Sequence, residues 1–220
     1  MADALRIAVL ASGAGSNLQA LIDATAAGAL HARIVGVFSD RPSCRAVARA
    51  RAAGIPVVAM KPGAYASREA FDAALFADVD AAQPDLIVCA GYMRIISADA
   101  IQARPNRMIN LHPSLLPAFK GLHTHQRALD AGVAEHGASV HVVTAGLDDG
   151  PVLAQARVPV KPGDDADTLA ARVRTVEHPL LLASVALIVE GRLCLDPDGP
   201  KLNGAPLPRP LQLTATRGLA

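Results

Sequence analysis

The sequence predicts an α/β fold built on a doubly wound, mostly parallel sheet with helices on both faces. Short aliphatic runs alternate with Ala-rich helical segments through the first half of the 220 residues, the pattern of repeated strand–helix units. One run, DLIVCA at 85–90, is almost continuously apolar, as expected for a strand covered on both faces. Hydrophobic residues make up 51% of the chain and aromatic residues only 3%, so aliphatic side chains must fill a sizeable core.

The first half alternates strands and helices in a regular order. Five strands are predicted, at 5–11, 33–38, 56–60, 85–90 and 107–112. Helices are predicted between them at 17–27, at 43–53, from Ser67 onward and, capped by Ser97, before Pro105. In the third of these helices Ser67 is predicted to be the N-cap, and Ala70, Leu75 and Val79 are predicted to face the core. Ligands of such sheets bind beyond the carboxyl ends of the strands, which is where we expect the chemistry.

The pattern changes after residue 112. A Pro-flanked loop leads to a helix near 124–131, and strands at 138–144 and 151–160 are joined by the turn AGLDDG. A long helix follows at roughly 165–191. The rest of the chain holds five of the sixteen prolines, and it predicts a small C-terminal hairpin turned by DPDG and a loosely ordered last dozen residues.

Composition argues against several classes of function. The net charge is +1 without a long basic run, which disfavours a nucleic-acid partner. No apolar stretch approaches the ~18 residues of a membrane span, and the N-terminal LRIAVLAS run indicates a first strand, not a signal peptide. The three Cys residues, at 44, 89 and 194, lie far apart without metal-ligand spacing, which favours a reduced, cytoplasmic chain.

The segment SGAGSN (12–17) lies between the first strand and the first helix. Gly13 and Gly15 permit a tight turn, and Ser16 and Asn17 can cap the helix. Because a helix N-terminus presents unpaired N–H groups and a partial positive charge, the loop suits a phosphate. It matches neither the dinucleotide fingerprint nor the Walker A loop. An ordinary Gly turn is the alternative.

Three further polar residues suit acyl-transfer chemistry. Asn110 and His112 end the fifth strand and, two residues apart, point to the same side. An amide donor beside an imidazole suits a reaction that forms an oxyanion at a carbonyl and then moves a proton. A carboxylate of the turn LDDG, at Asp148 or Asp149, could orient that imidazole. The alternatives are a buried polar pair bonded to backbone and a solvated turn Asp.

Histidines cluster in the second half, at 112, 123, 125, 136 and 141. Their spacing forms neither HExxH nor a Cys/His ligand set, so no metal is predicted.

These segments together resemble a known family. IAVLASGAGSNLQALID, DLIVCAGYMRIIS, INLHPSLLPAFKGLHTHQ, LDDGPVLAQARVPV and RVRTVEHPL resemble, in one register from about residue 5 to 210, the phosphoribosylglycinamide formyltransferases of purine biosynthesis. The resemblance implies a single Rossmann-like formyltransferase domain over 1–220. Its parts would be a nucleotide- and phosphate-binding half at 1–111, a catalytic and folate-binding half at 112–195 and a Pro-rich tail at 196–220.

The resemblance also implies a reaction. The formyl group of 10-formyltetrahydrofolate, a co-substrate, would pass to the amine of glycinamide ribonucleotide without a metal. Asn110 would donate to the formyl oxygen, His112 would carry the proton, and Asp148 would hold His112 protonated and placed. The residues implied for the ribonucleotide are Gly15, Ser16, Asn17 and Glu177, and those implied for the folate are Arg68, Met93, Arg94, Ile95, Ile96 and Asn110.

Three departures from the family pattern stand out. Ala14 replaces a residue that is often polar, Asp149 adds a negative charge beside Asp148, and AFKG at 118–121 differs from the aromatic-Pro-Gly form. The functional alternatives are a formyltetrahydrofolate hydrolase, a formyltransferase for another amine, and a non-catalytic nucleotide- or folate-binding module. The resemblance implies small-molecule partners in the cytoplasm, without nucleic acid or membrane, and allows a homodimer.

Overall fold

The computed structural model describes residues 3–220, and the chain forms two compact units that meet in sequence between Asn110 and Leu111. The strands of the first unit are β1 (Leu5–Leu10), β2 (Ala32–Ser39), β3 (Val57–Ala59), β4 (Leu86–Cys89) and β5 (Met108–His112), the last of which runs across the division. The helices are α1 (Ser16–Ala26), α2 (Arg45–Ala52), α3 (Arg68–Ala81) and α4 (Ala98–Gln102). Every strand and helix predicted for this half is present.

The strands of the first unit run parallel in the order β3-β2-β1-β4-β5. The direction of winding therefore reverses between β1 and β4, which is the position where doubly wound sheets bind ligands. The segments after these two strands meet there: the Ser12 N–H donates to the Gly91 carbonyl at 3.0 Å, and the Met93 N–H donates to Ser12 Oγ at 2.9 Å. The Gly-rich loop and the segment after β4 thus share one edge of the sheet.

The helix α3 confirms one sequence prediction and corrects another. Ser67 is its N-cap, and the Ser67 Oγ accepts from the Ala70 N–H at 3.1 Å. Ala70 itself, predicted to face the core, is exposed. Phe71, Leu75 and Val79 form the buried face, because residues four apart lie on the same side of a helix.

Ser97 is the N-cap residue of α4, as predicted, but its side chain forms no capping hydrogen bond. The Ser97 N–H instead donates to Asp72 Oδ2 at 2.6 Å, and both residues are buried. A carboxylate of α3 therefore satisfies the backbone at the start of α4.

Within the described residues, the second unit contains a short helix, a long helix and six strands. Its elements are α5 (Thr124–Asp130), β6 (Glu135–Val142), β7 (Val152–Pro159), α6 (Ala166–Val189), β8 (Leu193–Cys194), β9 (Lys201–Leu202), β10 (Ala205–Pro206) and β11 (Leu211–Gln212). Strands β6 and β7 form an antiparallel hairpin, β11 runs parallel to β7, and β8, β9 and β10 form a small antiparallel sheet.

Strand β6 begins three residues earlier than predicted, at Glu135. The polar segment EHG lacks a strand pattern, but pairing with β7 extends the strand through it. Gly137 permits this close approach, since a Cβ there would lie 1.9 Å from the Ala156 carbonyl O. Long-range pairing, which local sequence does not encode, sets this strand boundary.

The end of the chain is more ordered than predicted. The hairpin turned by DPDG is present, with Leu193 paired to Leu202. The segment after it was expected to be loose, yet Leu211 is buried and pairs with Ala154 of β7. A strand of two residues directly after Pro210 carries too little periodicity to be predicted, so this correction again comes from a long-range contact.

No helix within residues 3–220 has both the length and the apolar character that a bilayer span requires.

The buried contact of β11 predicts a measurable stabilisation. Leu211→Ala should lower the free energy of unfolding by about 2–3 kcal/mol, because it removes a large side chain from a closed site. The matched control is Leu207→Ala, at a half-buried position of the same segment, which should cost less than about 1 kcal/mol. Urea unfolding followed by circular dichroism measures both. Equal effects of the two substitutions would mean that the end of the chain contributes no specific packing.

Candidate functional site

The Gly-rich loop of the first unit is fixed by the packing of two helices. Gly15 is the N-cap of α1 and takes a left-handed conformation, with φ 71° and ψ 29°. A Cβ at this position would lie 2.7 Å from the Cα of Ala46 on α2, so only Gly fits. Gly15, Ser16 and Asn17, the predicted phosphate residues, therefore form the N-terminus of α1, where N–H groups and the helix dipole favour an anion.

The segment after β4 carries the predicted folate residues. Met93 and Ile95 are 59% and 54% exposed, although both are large and apolar, whereas Ile96 is buried. The Arg94 guanidinium lies over the Phe71 ring, with Cζ 4.9 Å from the ring centroid. An exposed apolar pair at the ligand-binding edge of the sheet offers a surface for a flat ring system.

Arg68 lies apart from this segment, in the first turn of α3. Its Nη2 is 3.1 Å from Glu69 Oε1, and both side chains are about half exposed. The ion pair offsets the unfavourable position of a cation near a helix N-terminus. Because exposed ion pairs are weak, a ligand carboxylate could replace Glu69 as the partner of Arg68.

Strand β5 carries Asn110 and His112. His112 is 6% exposed, and both of its ring nitrogens face acceptors. Nε2 lies 3.1 Å from the Phe119 carbonyl O, and Nδ1 lies 3.4 Å from Asp148 Oδ2. A neutral imidazole has only one N–H, so hydrogen bonds to both acceptors require the protonated ring.

Burial opposes protonation of His112. Desolvation lowers the pKa of His112 below its ordinary value, and it outweighs the raising effects of the Phe119 carbonyl and Asp148. The neighbouring His141 and Arg127 act in the same direction and lower the pKa of His112 further. The resemblance implies a protonated His112, whereas the net direction of this shift favours a neutral ring in the free protein.

Asp148 lies in the turn between β6 and β7. Its backbone is left-handed, with φ 47°, a conformation that Asp adopts more readily than most residues. Oδ2 accepts from the Gly121 N–H at 2.9 Å, and Oδ1 lies 3.5 Å from His141 Nε2. The Asp148 side chain is 11% exposed, so it is not the solvated turn residue of the alternative interpretation.

The pKa of Asp148 keeps this side chain ionised. Burial alone would raise the pKa, but hydrogen bonds from His141 and the Gly121 N–H bring it below its usual value. Protonation of a neighbouring imidazole, His112 or His141, acts in the same direction. The second unit therefore holds a carboxylate between two imidazoles.

His141 is the residue of this group to which the sequence analysis assigned no role beyond membership of the histidine cluster. It is buried in β6, its Nδ1 donates to the Val142 carbonyl O at 2.9 Å, and its ring centroid is 6.5 Å from that of His112. The available signal was an ionisable residue inside the otherwise apolar strand ASVHVV, where a buried polar residue needs a structural or functional reason.

Two departures from the family pattern contact each other. Asp149, in the turn, forms an ion pair with Lys120 of the AFKG segment. The Arg127 side chain donates to the Lys120 carbonyl O and so ties the same segment to α5. The negative charge that Asp149 adds beside Asp148 is thus balanced by a cation.

Two other histidines pair with each other. His136 Nε2 lies 3.1 Å from His125 Nδ1. Burial is the main cause that lowers the pKa of His136 to about 4, and the neighbouring His125 and His112 act in the same direction. Within residues 3–220, no group of three or more His, Cys, Asp or Glu side chains is arranged to hold a metal. The absence of a metal stays a prediction.

Glu177 lies in the middle of α6 and is buried. The helix is fixed at its start by a capping box, in which Asp165 accepts from the Thr168 N–H at 2.8 Å and Thr168 accepts from the Asp165 N–H at 2.9 Å. The structure thus places the Glu177 carboxylate, buried, in the middle of a helix that is capped at its start.

The sequence matches the family described as Formyl transferase over residues 5–185. The chain belongs to the formyl transferase family. The phosphoribosylglycinamide formyltransferase of Escherichia coli K12 is 44% identical over 204 residues, which are 93% of this chain and 96% of that protein. The family resemblance and the enzyme class that the sequence predicted are therefore confirmed.

Solved structures of this family show the same fold. A glycinamide ribonucleotide transformylase from Symbiobacterium toebii matches with a TM-score of 0.88 and 44% identity, over 92% of this chain and 95% of that chain. A formyltetrahydrofolate deformylase from Pseudomonas syringae matches with a TM-score of 0.84 and 26% identity, over 91% of this chain and 66% of that chain. The predicted α/β fold, Rossmann-like with a mostly parallel sheet, is confirmed.

The contact between Asp148 and His112 predicts that replacing Asp148 changes the pKa of His112. Asp148→Asn should lower the pKa of His112 further, because it removes the carboxylate that favours the protonated ring. An NMR titration of the His112 ring in the free protein measures the shift. Asp149→Asn is the control, and its effect should be smaller because Asp149 is 63% exposed to solvent. A raised or unchanged pKa in Asp148→Asn would contradict the geometry.

The low pKa of His136 predicts a loss of stability in acid. Its pKa is about 4 in the folded chain and 6.5 ordinarily, so the unfolded chain binds more protons between these values. The free energy of unfolding should therefore fall by up to about 3 kcal/mol as the pH drops from 6.5 to 4.

Replacing His136 should remove that dependence. In His136→Asn the free energy of unfolding should fall less steeply as the pH drops from 6.5 to 4, as measured by urea unfolding at each pH. His123→Asn, at an exposed position with a left-handed backbone that Asn accepts, should leave the slope as in the wild type. Identical slopes in all three proteins would rule out His136 as the titrating group.

Proposed function

We propose that this member of the formyl transferase family transfers the formyl group of 10-formyltetrahydrofolate to the amine of glycinamide ribonucleotide. The products would be formylglycinamide ribonucleotide and tetrahydrofolate, in de novo purine biosynthesis. The nearly full-length similarity to the Escherichia coli enzyme supports this substrate pair. The observation that supports the chemistry is the buried contact between His112 and Asp148. His112 lies on strand β5, which also carries Asn110.

The first step joins the two substrates. The amine nitrogen of the ribonucleotide attacks the formyl carbon, a C–N bond forms, and the carbonyl oxygen becomes an oxyanion. The Asn110 side-chain N–H₂ donates to that oxygen, as an oxyanion-hole donor does. The interaction strengthens as the negative charge develops, so it lowers the barrier and not only the dissociation constant of the substrate.

The second step moves one proton. A neutral His112 accepts the proton that the attacking amine loses, and passes it to N10 of the folate as the C–N10 bond breaks. A lowered pKa in the free protein suits this role, because the ring must begin without the extra proton. Once His112 is charged, Asp148 stabilises the imidazolium and the Phe119 carbonyl accepts the other N–H.

The remaining predicted residues would hold the substrates. We assign the ribonucleotide phosphate to Gly15, Ser16 and Asn17, on the argument from the helix N-terminus. Glu177 would bind the substrate amine through its buried carboxylate. The residues assigned to the folate are Arg68, Met93, Arg94, Ile95, Ile96 and Asn110. A homodimer, a cytoplasmic location, and the absence of nucleic-acid and membrane partners stay predictions.

Loss of either catalytic side chain should reduce turnover strongly. Asn110→Ala and His112→Ala should each lower kcat by about 10²–10³-fold in a formyl-transfer assay, which is the usual cost of removing one oxyanion donor or a proton carrier. His31→Asn, an exposed histidine of the first unit, is the matched control and should retain wild-type kcat. Near-normal kcat in both alanine variants would defeat these roles.

A hydrolase is the second candidate, since a formyltetrahydrofolate deformylase shares the fold. Product analysis with and without glycinamide ribonucleotide separates the two. A transferase consumes formyl folate only when the amine is present and yields no free formate. Release of formate at the same rate in both reactions would identify a hydrolase instead, and turnover only with a different amine would change the acceptor.

A further inference from the structure

The Gly-rich loop has two successive carbonyls fixed on helix α2. The Ala46 N–H donates to the Gly13 carbonyl O at 3.1 Å, and Arg49 Nε donates to the Ala14 carbonyl O at 3.0 Å. Ala46 and Arg49 are three residues apart, so they lie on the same face of α2. Both acceptors belong to the loop between β1 and α1.

Fixing a carbonyl also fixes the N–H of the same peptide unit. The peptide bonds of the loop are trans, and in a trans peptide the C=O and N–H point in opposite directions. The N–H groups of Ala14 and Gly15 therefore point away from α2, and within residues 3–220 neither donates to an acceptor. Consecutive N–H groups that end in a left-handed residue, as at Gly15, form a concave donor set that suits an anion.

The Arg49 side chain is itself held in place. Its Nη1 donates to Gln19 Oε1 at 2.9 Å, and Gln19 Nε2 donates to Asp23 Oδ1 at 2.8 Å along α1. The guanidinium thus bridges α1, the loop and α2 with its planar fork of donors. A lysine has one ammonium group on a flexible stem and lacks that fixed fork.

We infer that Arg49 is a positioning residue for the ribonucleotide phosphate, turning the Ala14–Gly15 peptide so that the Gly15 N–H faces the anion. The inference rests on the proposed function, which places the phosphate at Gly15, Ser16 and Asn17. Arg49 acts through the Ala14 carbonyl and through its positive charge, and it takes no part in formyl transfer itself.

Steady-state kinetics with two substrates test the role. One substrate is glycinamide ribonucleotide, and the other is the corresponding nucleoside, which lacks the phosphate. Arg49→Met should raise KM for the ribonucleotide about ten-fold, the usual effect of losing a hydrogen bond from a charged group. It should change KM for the nucleoside less than about two-fold, and leave kcat and KM for the folate as in the wild type.

Two further variants separate positioning from charge and from folding. Arg49→Lys keeps the charge without the fork, and should raise KM for the ribonucleotide by an intermediate factor of about three. Arg51→Met removes a cation from an exposed position of the same helix, and should behave as the wild type. Wild-type kcat and folate KM in Arg49→Met show that the fold is intact.

Three results would overturn the inference. An equal rise of KM for nucleotide and nucleoside in Arg49→Met would make Arg49 merely structural. Wild-type behaviour of Arg49→Lys would show that charge, not the orientation of the peptide, matters. If the wild type used the nucleoside as well as the ribonucleotide, the phosphate assignment of the proposed function would fail first, and Arg49 would lose its role with it.

Discussion

The desolvation of one imidazole is the constraint on which the proposed chemistry depends. His112 is buried, which disfavours its positive charge, yet both ring nitrogens face groups that can only accept hydrogen bonds. Neither protonation state satisfies all of these demands. The neutral ring leaves one acceptor without a hydrogen, and the charged ring loses hydration. Such a ring can change its protonation state at modest cost, which is what a proton carrier must do.

Backbone groups of one short segment position both His112 and Asp148. The segment 119–121 supplies both the Phe119 carbonyl that accepts from His112 and the Gly121 N–H that donates to Asp148. Backbone groups lose no rotamer entropy when they bind, so they position their partners more firmly than flexible side chains do. Movement of this short segment would therefore change the pKa of both His112 and Asp148 together, and couple the charge of the site to the conformation of the loop.

The first unit was predictable because its elements are local. Each strand is followed by its own helix, and the apolar spacing of Leu18, Leu21 and Ile22 marks the buried face of α1 directly in the sequence. In the second unit, Gly137 and Leu211 belong to strands only because distant strands pair with them. Gly137 pairs with Arg157 and Leu211 pairs with Ala154. Pairing between such separated residues leaves no local pattern, so the boundaries of β6 and the existence of β11 could not be predicted.

In the candidate site, too, some residues could be predicted from local sequence and others could not. Asn110 and His112 stand out because they end a strand and share one of its sides, and the Gly-rich loop stands out from its position before a helix. The role of His141 depends on which way β6 faces, and only the structure gives that direction. The turn pattern alone could not choose between Asp148 and Asp149, since a turn can present either carboxylate to the imidazole; only the family resemblance singled out Asp148.

Lys120 and Asp149 show why departures from a family pattern need to be judged in three dimensions. Taken singly, Asp149 adds a negative charge beside Asp148, and such a charge would raise the pKa of His112. Its ion pair with Lys120 cancels most of that field at a distance, because opposite charges in contact act as a dipole. The pair is solvent-exposed and so contributes little to stability. The effect of the ion pair is on the site. Because Lys120 offsets the charge of Asp149, this second carboxylate of the turn leaves the interaction between His112 and Asp148 largely unchanged.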